Sequence, residues 1–233
     1  MRYKCFQFSV FSFRHMLAPG RLVAARRGIV SALVATLLVV LIPMGSANAT
    51  PVAHYRATPG GSLVISGTST LHDWTAKSTA LTGKAVFAGQ WTGKGGAAID
   101  LRAIDLVIAV KSLKSSEGGG MDDTMYGALH LKKHAFITYQ LTTARLLAPP
   151  VGKKAPAIFN TTGKLKVNGT TRTVPLVLTV TPLADGGLTI TTTTKLKMTD
   201  FGVKPPTAMF GVIRSGNAIT VTATWPLAVK AGA

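Results

Sequence analysis

The sequence predicts an all-β protein, an antiparallel barrel of about eight strands with one short helix. Three observations lead there. Stretches rich in threonine, valine and leucine alternate apolar with polar residues at period two. An Asn-Gly pair divides two such stretches, and only one segment of the chain carries a helical period. The 233 residues are 47% hydrophobic and 15% charged, with a mean hydropathy of +0.33. That is enough apolar material for a core and too little charge for a disordered polyelectrolyte.

The clearest strand runs through the threonine tract. Leu188, Ile190, Thr192, Thr194, Leu196 and Met198 fall on one face of an extended segment, and Thr189, Thr191, Thr193, Lys195 and Lys197 on the other. β-Branched residues at this period make a strand with one dry and one wet face. The C-terminal stretch repeats the pattern, with Ile219, Val221, Ala223, Trp225, Leu227 and Val229 set against Thr220, Thr222, Thr224 and Pro226. Asn168-Gly169 favours the positive-φ turn that joins two antiparallel strands; Leu165 and Val167 precede it, and Val174, Leu176, Leu178 and Val180 follow. Upstream, residues 63–65, 74–81, 84–91, 99–110 and 136–147 read as extended segments between glycine-rich turns.

The helical segment places Met121, Met125 and Leu129 at i, i+4 and i+8. Asp122 and Asp123 stand near its start and Lys132, Lys133 and His134 at its end, the charge order that a helix dipole favours. Gly118, Gly119 and Gly120 give it a mobile entry. An antiparallel sheet of this size must hide its edges, and closure into a barrel does so; a β-sandwich is the rival. Inward faces of Leu, Ile and Val suit packed and hollow barrels alike.

Residues 1–49 read as a signal peptide that is removed. They hold six basic residues (Arg2, Lys4, Arg14, Arg21, Arg26, Arg27), no acid, and an apolar run from Ile29 to Met44 that closes on Ala47-Asn48-Ala49. The run is shorter than the roughly 20 residues a spanning helix needs. The expectation is an exported chain, periplasmic or secreted, that begins at Thr50 and forms one domain over 50–233. Of the 26 Lys and Arg in the whole chain, 20 remain once the six of the leader are gone, against 8 Asp and Glu. The only cysteine, Cys5, lies in the leader, so the mature domain has no disulfide, thiolate nucleophile or thiolate-bound metal.

Residues that could carry chemistry are few. His72-Asp73 could act as a general acid–base pair on a small exported substrate, but no Gly-x-Ser-x-Gly elbow nominates a nucleophile. The alternative is that His72 and Asp73 hydrogen-bond a turn and Trp74 begins the next strand. His130 and His134, four apart, could face one way on a helix, but Leu131, Lys132 and Lys133 between them include no acid and would repel a cation. The sequence therefore nominates no catalytic residue, no metal ligand and no cofactor. The basic residues are scattered, without the interleaved aromatics of a nucleic-acid platform, so nucleic acid is not expected as a partner. They are either solvated surface charge or a means of transient contact with an anionic membrane surface.

Five motifs follow one another in the mature chain: Ser66-Gly67-Thr68-Ser69-Thr70-Leu71-His72-Asp73-Trp74; Ser112-Leu113-Lys114-Ser115; Met121-Asp122-Asp123-Thr124-Met125 with Ala128-Leu129; Gly163-Lys164-Leu165 with Gly169-Thr170-Thr171-Arg172; and Met198-Thr199-Asp200-Phe201-Gly202-Val203-Lys204-Pro205-Pro206. In this order, over about Tyr55 to Val229, they resemble the YceI-like family. The resemblance implies a periplasmic, lipocalin-like antiparallel barrel that holds a long isoprenoid lipid inside; with so few residues suited to chemistry, the expectation is a carrier or store without catalysis. On this reading the helix and the 201–206 element form the open end, with Met125 and Phe201 pointing inward. The candidate ligand contacts are Met121, Met125, Leu129, Phe136, Phe201, Phe210 and Trp74. Two other readings stay open, a small hydrolase-like enzyme using His72 and Asp73 and an interaction module with a filled barrel.

Overall fold

A computed structural model describes residues 50–89, 91 and 99–230; the leader read over 1–49 lies outside the described residues. These form twelve strands and one α-helix: β1 (Val52–Ala57), β2 (Ser62–Ser69), β3 (Trp74–Ser78), β4 (Leu81–Ala88), β5 (Asp100–Ala109), β6 (Lys114–Ser115), α1 (Gly119–Ala128), β7 (Phe136–Ala148), β8 (Ala157–Val167), β9 (Thr170–Pro182), β10 (Leu188–Lys197), β11 (Thr207–Ala208) and β12 (Ile213–Val229).

All pairings are antiparallel, and eight strands close a ring in the order β1, β4, β5, β7, β8, β9, β10, β12, with the end of β12 returning to β1 through Tyr55 opposite Val229 and Ala57 opposite Leu227. The barrel, and not the sandwich, is therefore how this sheet removes its edges. The remaining strands continue the wall at one end. β2 pairs with β12 from Ser215 to Thr224, β3 pairs with β2, and β6 with β3. Thus β1 and β2 lie in series along one edge of β12, and β4 and β3 in series beside them.

The turns behave as their residues dictate. Asn168 (φ 50°) and Gly169 (φ 77°) both take positive φ, and Val167 pairs with Thr170 across them, the two-residue hairpin that the Asn-Gly pair predicts. The helix is shorter than its charge pattern suggested. It ends at Ala128, Leu129 caps it, His130 turns left-handed (φ 49°), and Lys132, Lys133 and His134 lie in the following turn. The sequence-predicted match of basic residues to the helix dipole is thus not realised, because tertiary contacts of this turn end the helix first.

The interior is packed at one end and hollow at the other. At the packed end Tyr55, Phe87 and Phe159 stack edge to face, with ring centroids 5.7 and 6.2 Å apart, among buried Leu101, Ala157, Val180, Leu188 and Leu227. Among the described residues, the buried hydrophobic side chains run from Leu63 to Leu227.

Candidate functional site

The hollow end contains a cavity of about 200 Å³, bounded by the barrel wall, by α1 and by the segment from Met198 to Pro206. Its walls are the inward faces that the alternation defines. β5 gives Ile104, Leu106 and Ile108; β8 and β9 give Leu165, Val167, Leu176 and Leu178; β10 and β12 give Ile190, Leu196, Ile219, Val221 and Ala223. Hydroxyl groups are sparse in the lining, from Ser115, Tyr139, Thr192, Thr194 and Ser215. An apolar cavity of about 150 Å³ already stays dry and admits a benzene-sized molecule. This one is larger, and its chemistry selects apolar guests.

Two aromatics reach the lining because a glycine on the neighbouring strand leaves room for the ring, directly opposite Trp74 and diagonal to Tyr139. Trp74 pairs with Gly67 across β2 and β3, and a Cβ on Gly67 would lie 2.4 Å from the indole; the ring lies against bare backbone, with Nε1 donating to Thr68 O at 3.1 Å. Gly163 admits the Tyr139 ring in the same way, at 2.3 Å from where its Cβ would be. Burial pushes the Tyr139 hydroxyl pKa up, with a contact to Thr161 Oγ1 at 3.4 Å working the other way. The inward Trp225 is 3% exposed, and its Nε1 is, among the described residues, the buried polar side-chain atom with no hydrogen-bond partner. An unpaired buried donor costs roughly 1–3 kcal/mol. It is a polar mark in an apolar wall.

The rim is tied together by polar contacts. Asp122, in the first turn of α1, accepts the Ser115 N–H at 2.6 Å and Lys114 Nζ at 3.0 Å, while the single Tyr126 hydroxyl proton is shared between the carbonyls of Leu113 at 2.7 Å and Lys111 at 3.0 Å. These bonds turn Met121, Met125, Ala128 and Leu129 towards the cavity. The helix is thereby fastened at two points, although Gly118 before it and Gly119 and Gly120 at its start have open space around them. Asn168 bridges the other side, meeting His130 Nδ1 at 2.7 Å and donating to Gly202 O at 3.1 Å. His134 packs on Gly169. The two histidines thus brace a hairpin, and among the described residues no three His, Asp or Glu side chains converge where they could hold a metal ion.

The Ser115 N–H first, and Lys114 second, hold the Asp122 carboxyl below the usual carboxylate range, with burial opposing them. Contact with Tyr126 first, and with Asp122 second, raises Lys114. A carboxyl lowered on folding adds stability above its unfolded pKa, and that stability is lost as the pH falls through the folded value. Amide-exchange protection of α1 is therefore expected to stay level from pH 7 to 5 and to fall below about pH 4. Asp122→Asn is expected to weaken it already at pH 7 and to abolish the acid-dependent step.

Of the candidate contacts read from the sequence, Trp74, Met121, Met125, Leu129 and Phe201 border the cavity. Phe136 and Phe210 do not. Phe136 opens β7, whose alternation sends Ile137 and Tyr139 inward, so Phe136 faces outward at 57% exposure. Phe210 is fully exposed at the tip of the β11–β12 hairpin. Leu165, Leu176, Leu178 and the β5 residues also line the cavity; the sequence placed them in extended segments without assigning their faces to a cavity.

His72 stands in the β2–β3 turn on the outer surface. Ser69 Oγ holds this turn, donating to His72 O at 2.7 Å and accepting the N–H of Leu71 and of His72; the imidazole Nδ1 lies 2.8 Å from the backbone oxygen of Asp73, and Nε2 3.5 Å from Glu117. The Asp73 carboxylate does not orient the ring, and Trp74 does begin the next strand. His72→Ala is expected to change stability by no more than about 1 kcal/mol, as for an exposed contact, and to leave ligand content unchanged, as denaturant titration and mass spectrometry would show.

Comparison with known proteins agrees with this geometry. A polyisoprenoid binding domain from Saccharophagus degradans, implicated in plant cell wall breakdown, superposes with a TM-score of 0.56 at 14% identity, over 77% of this chain and 100% of that one. BcnA of Burkholderia cenocepacia superposes with a TM-score of 0.52 at 16% identity, over 72% of this chain and 96% of its own. At such identities these likenesses speak for the fold alone. No curated protein matches the chain. The YceI-like domain matches residues 53–226, from β1 to β12 and through all five motifs, and the chain belongs to the YceI-like family.

Proposed function

We propose that the protein is a periplasmic carrier or store for an apolar lipid chain of isoprenoid type, held inside the barrel without chemistry. The observation that supports this most is the one-ended apolar cavity, closed below by the Tyr55, Phe87 and Phe159 plug and bordered above by α1. Burial supplies the affinity. At about 0.8 kcal/mol per CH₂, one five-carbon unit offers roughly 4 kcal/mol before ordering and association costs. A surface ion pair is worth about 0–1 kcal/mol, so apolar burial dominates.

The isoprenoid class follows the resemblance read in the sequence and the printed name of the Saccharophagus relative. Export follows the leader. The absence of chemistry rests on His72, whose ring meets a backbone carbonyl and a carboxylate on the surface and no hydroxyl among the described residues. Trp74 and Trp225 in the lining provide a direct test. An apolar quencher titrated into the protein is expected to reduce tryptophan fluorescence saturably with one equivalent. A linear, non-saturating response identical to that of free tryptophan would count against the cavity as a binding site.

A further inference from the structure

The exposed rim of the cavity carries a feature that the barrel itself does not need. β11 and the start of β12 form a small hairpin, with Thr207 opposite Arg214 and Ala208 opposite Ile213. Its base is part of the site, since Pro206 and Ser215 line the cavity and the Ser215 N–H donates to Pro206 O at 3.0 Å. Its tip is apolar and bare. Phe210 is fully exposed, and Val212 is 75% exposed.

The neighbouring β2–β3 turn brings a third apolar side chain to the same place. Thr70 Oγ1 donates to Val212 O at 3.1 Å, and the Thr70 N–H donates to Arg214 O at 3.0 Å, which sets Leu71, 66% exposed, beside Val212. The tip is also built under strain. Phe210 sits at φ 54°, ψ 29°, a left-handed conformation that costs a bulky residue and favours glycine. Folding gains no apolar burial from this phenyl ring in return.

Charge selects the partner. Lys204 and Arg214 flank the tip, and Arg214 folds its Nε onto Gly211 O at 2.7 Å, holding the turn. Lys197 directly precedes the Met198–Pro206 segment, and the exposed Lys132 and Lys133 lie in the turn after α1. The acids nearest in sequence are Asp200, ten residues before Phe210, and Asp73, two residues after Leu71; Glu117 meets His72, and Asp122 is engaged by Lys114, so cations outnumber the acids around the tip. Exposed apolar side chains set among cations match an anionic bilayer, whose headgroups attract the cations and whose acyl boundary receives the apolar tips. A nucleic acid would leave Leu71, Phe210 and Val212 without partners.

We propose that Leu71, Phe210 and Val212 insert into an anionic phospholipid surface and seat the open end of the barrel on it. This rests on the carrier reading for its purpose, and its test is separate. The processed protein would be sedimented with vesicles of phosphatidylcholine containing phosphatidylglycerol, and with phosphatidylcholine alone, at low and high salt. Binding is expected with the anionic vesicles and is expected to weaken with salt. Phe210→Ser with Val212→Ser is expected to lower partitioning by about a hundredfold or more, the loss of two apolar side chains from the acyl boundary. Val151→Ser, an 89% exposed valine in the β7–β8 connection at the packed end, is expected to leave it unchanged.

Cavity content, read by mass spectrometry on the same preparations, separates this proposal from the carrier reading. Full content with lost vesicle binding in the tip variant supports both. Vesicle binding that is absent in the unaltered protein, unchanged by the tip substitutions, or lowered equally by Val151→Ser would overturn the docking surface. Cavities empty in every preparation would instead speak against the carrier.

Discussion

Replacing Met125 by lysine is expected to abolish co-purifying apolar ligand while the barrel stays folded. Met125 projects from α1 into the cavity, and α1 is held by Asp122 and Tyr126, neither of which the substitution touches. A lysine there must leave its ammonium against Leu and Ile side chains or draw it up across the path of the ligand; either outcome removes the apolar entrance. Met125→Leu, which keeps volume and polarity, is expected to retain the ligand. Thr193→Lys is the matched control. Thr193 lies on the outer face of β10, with its hydroxyl 3.2 Å from that of Thr222, and a cation there meets water. Mass spectrometry reports ligand content and circular dichroism reports the fold. A full ligand load in Met125→Lys would return the methionine stripe to ordinary helix packing.

The largest loss of stability is expected at the opposite end. Phe159 is 1% exposed and stacks edge to face on Phe87, which in turn meets Tyr55. Truncation to alanine leaves a void that the closed sheet cannot collapse to fill, at a cost of about 3–5 kcal/mol. Against a total of roughly 5–15 kcal/mol, that is a large fraction of the stability. In a domain of this size the melting temperature is expected to fall by about 6–20 °C. Calorimetry would measure it, and a change of 1–2 °C would mean that the plug does not carry the packed end. Since the void opens below the cavity, ligand content is expected to survive where the protein remains folded. Plug and rim substitutions thus separate stability from binding.

Strands β10 and β12, and the helix and 201–206 element at the rim, were legible in the sequence, while the remaining wall faces and the hairpin tip were not. The alternation from Leu188 to Met198 and from Ile219 to Val229 names the inward residues of β10 and β12, and Asn168-Gly169 fixes the hairpin between β8 and β9. β1 escaped notice. Its inward residues include Ala53 and Ala57, which give weak contrast, and its partners β4 and the end of β12 are distant in sequence. The same alternation could have corrected Phe136, because Ile137, Tyr139 and Leu141 share the phase opposite to it. The end of α1 depends on His130 reaching Asn168, 38 residues away, which no local charge pattern records. Trp74 reaches the lining only because Gly67 stands across the hairpin. The exposed tip at Phe210 shows only once β11 and β12 are paired, since a lone phenylalanine between glycine and methionine reads equally well as core.

The most direct measurement of the central claim is native mass spectrometry of the exported protein purified without detergent, followed by organic extraction and identification of what is released. The account predicts one apolar chain per barrel, retained in the gas phase, extractable into organic solvent, and missing from Met125→Lys. Protein at its bare sequence mass, with no lipid in the extract and no uptake when an isoprenoid chain is supplied, would contradict it.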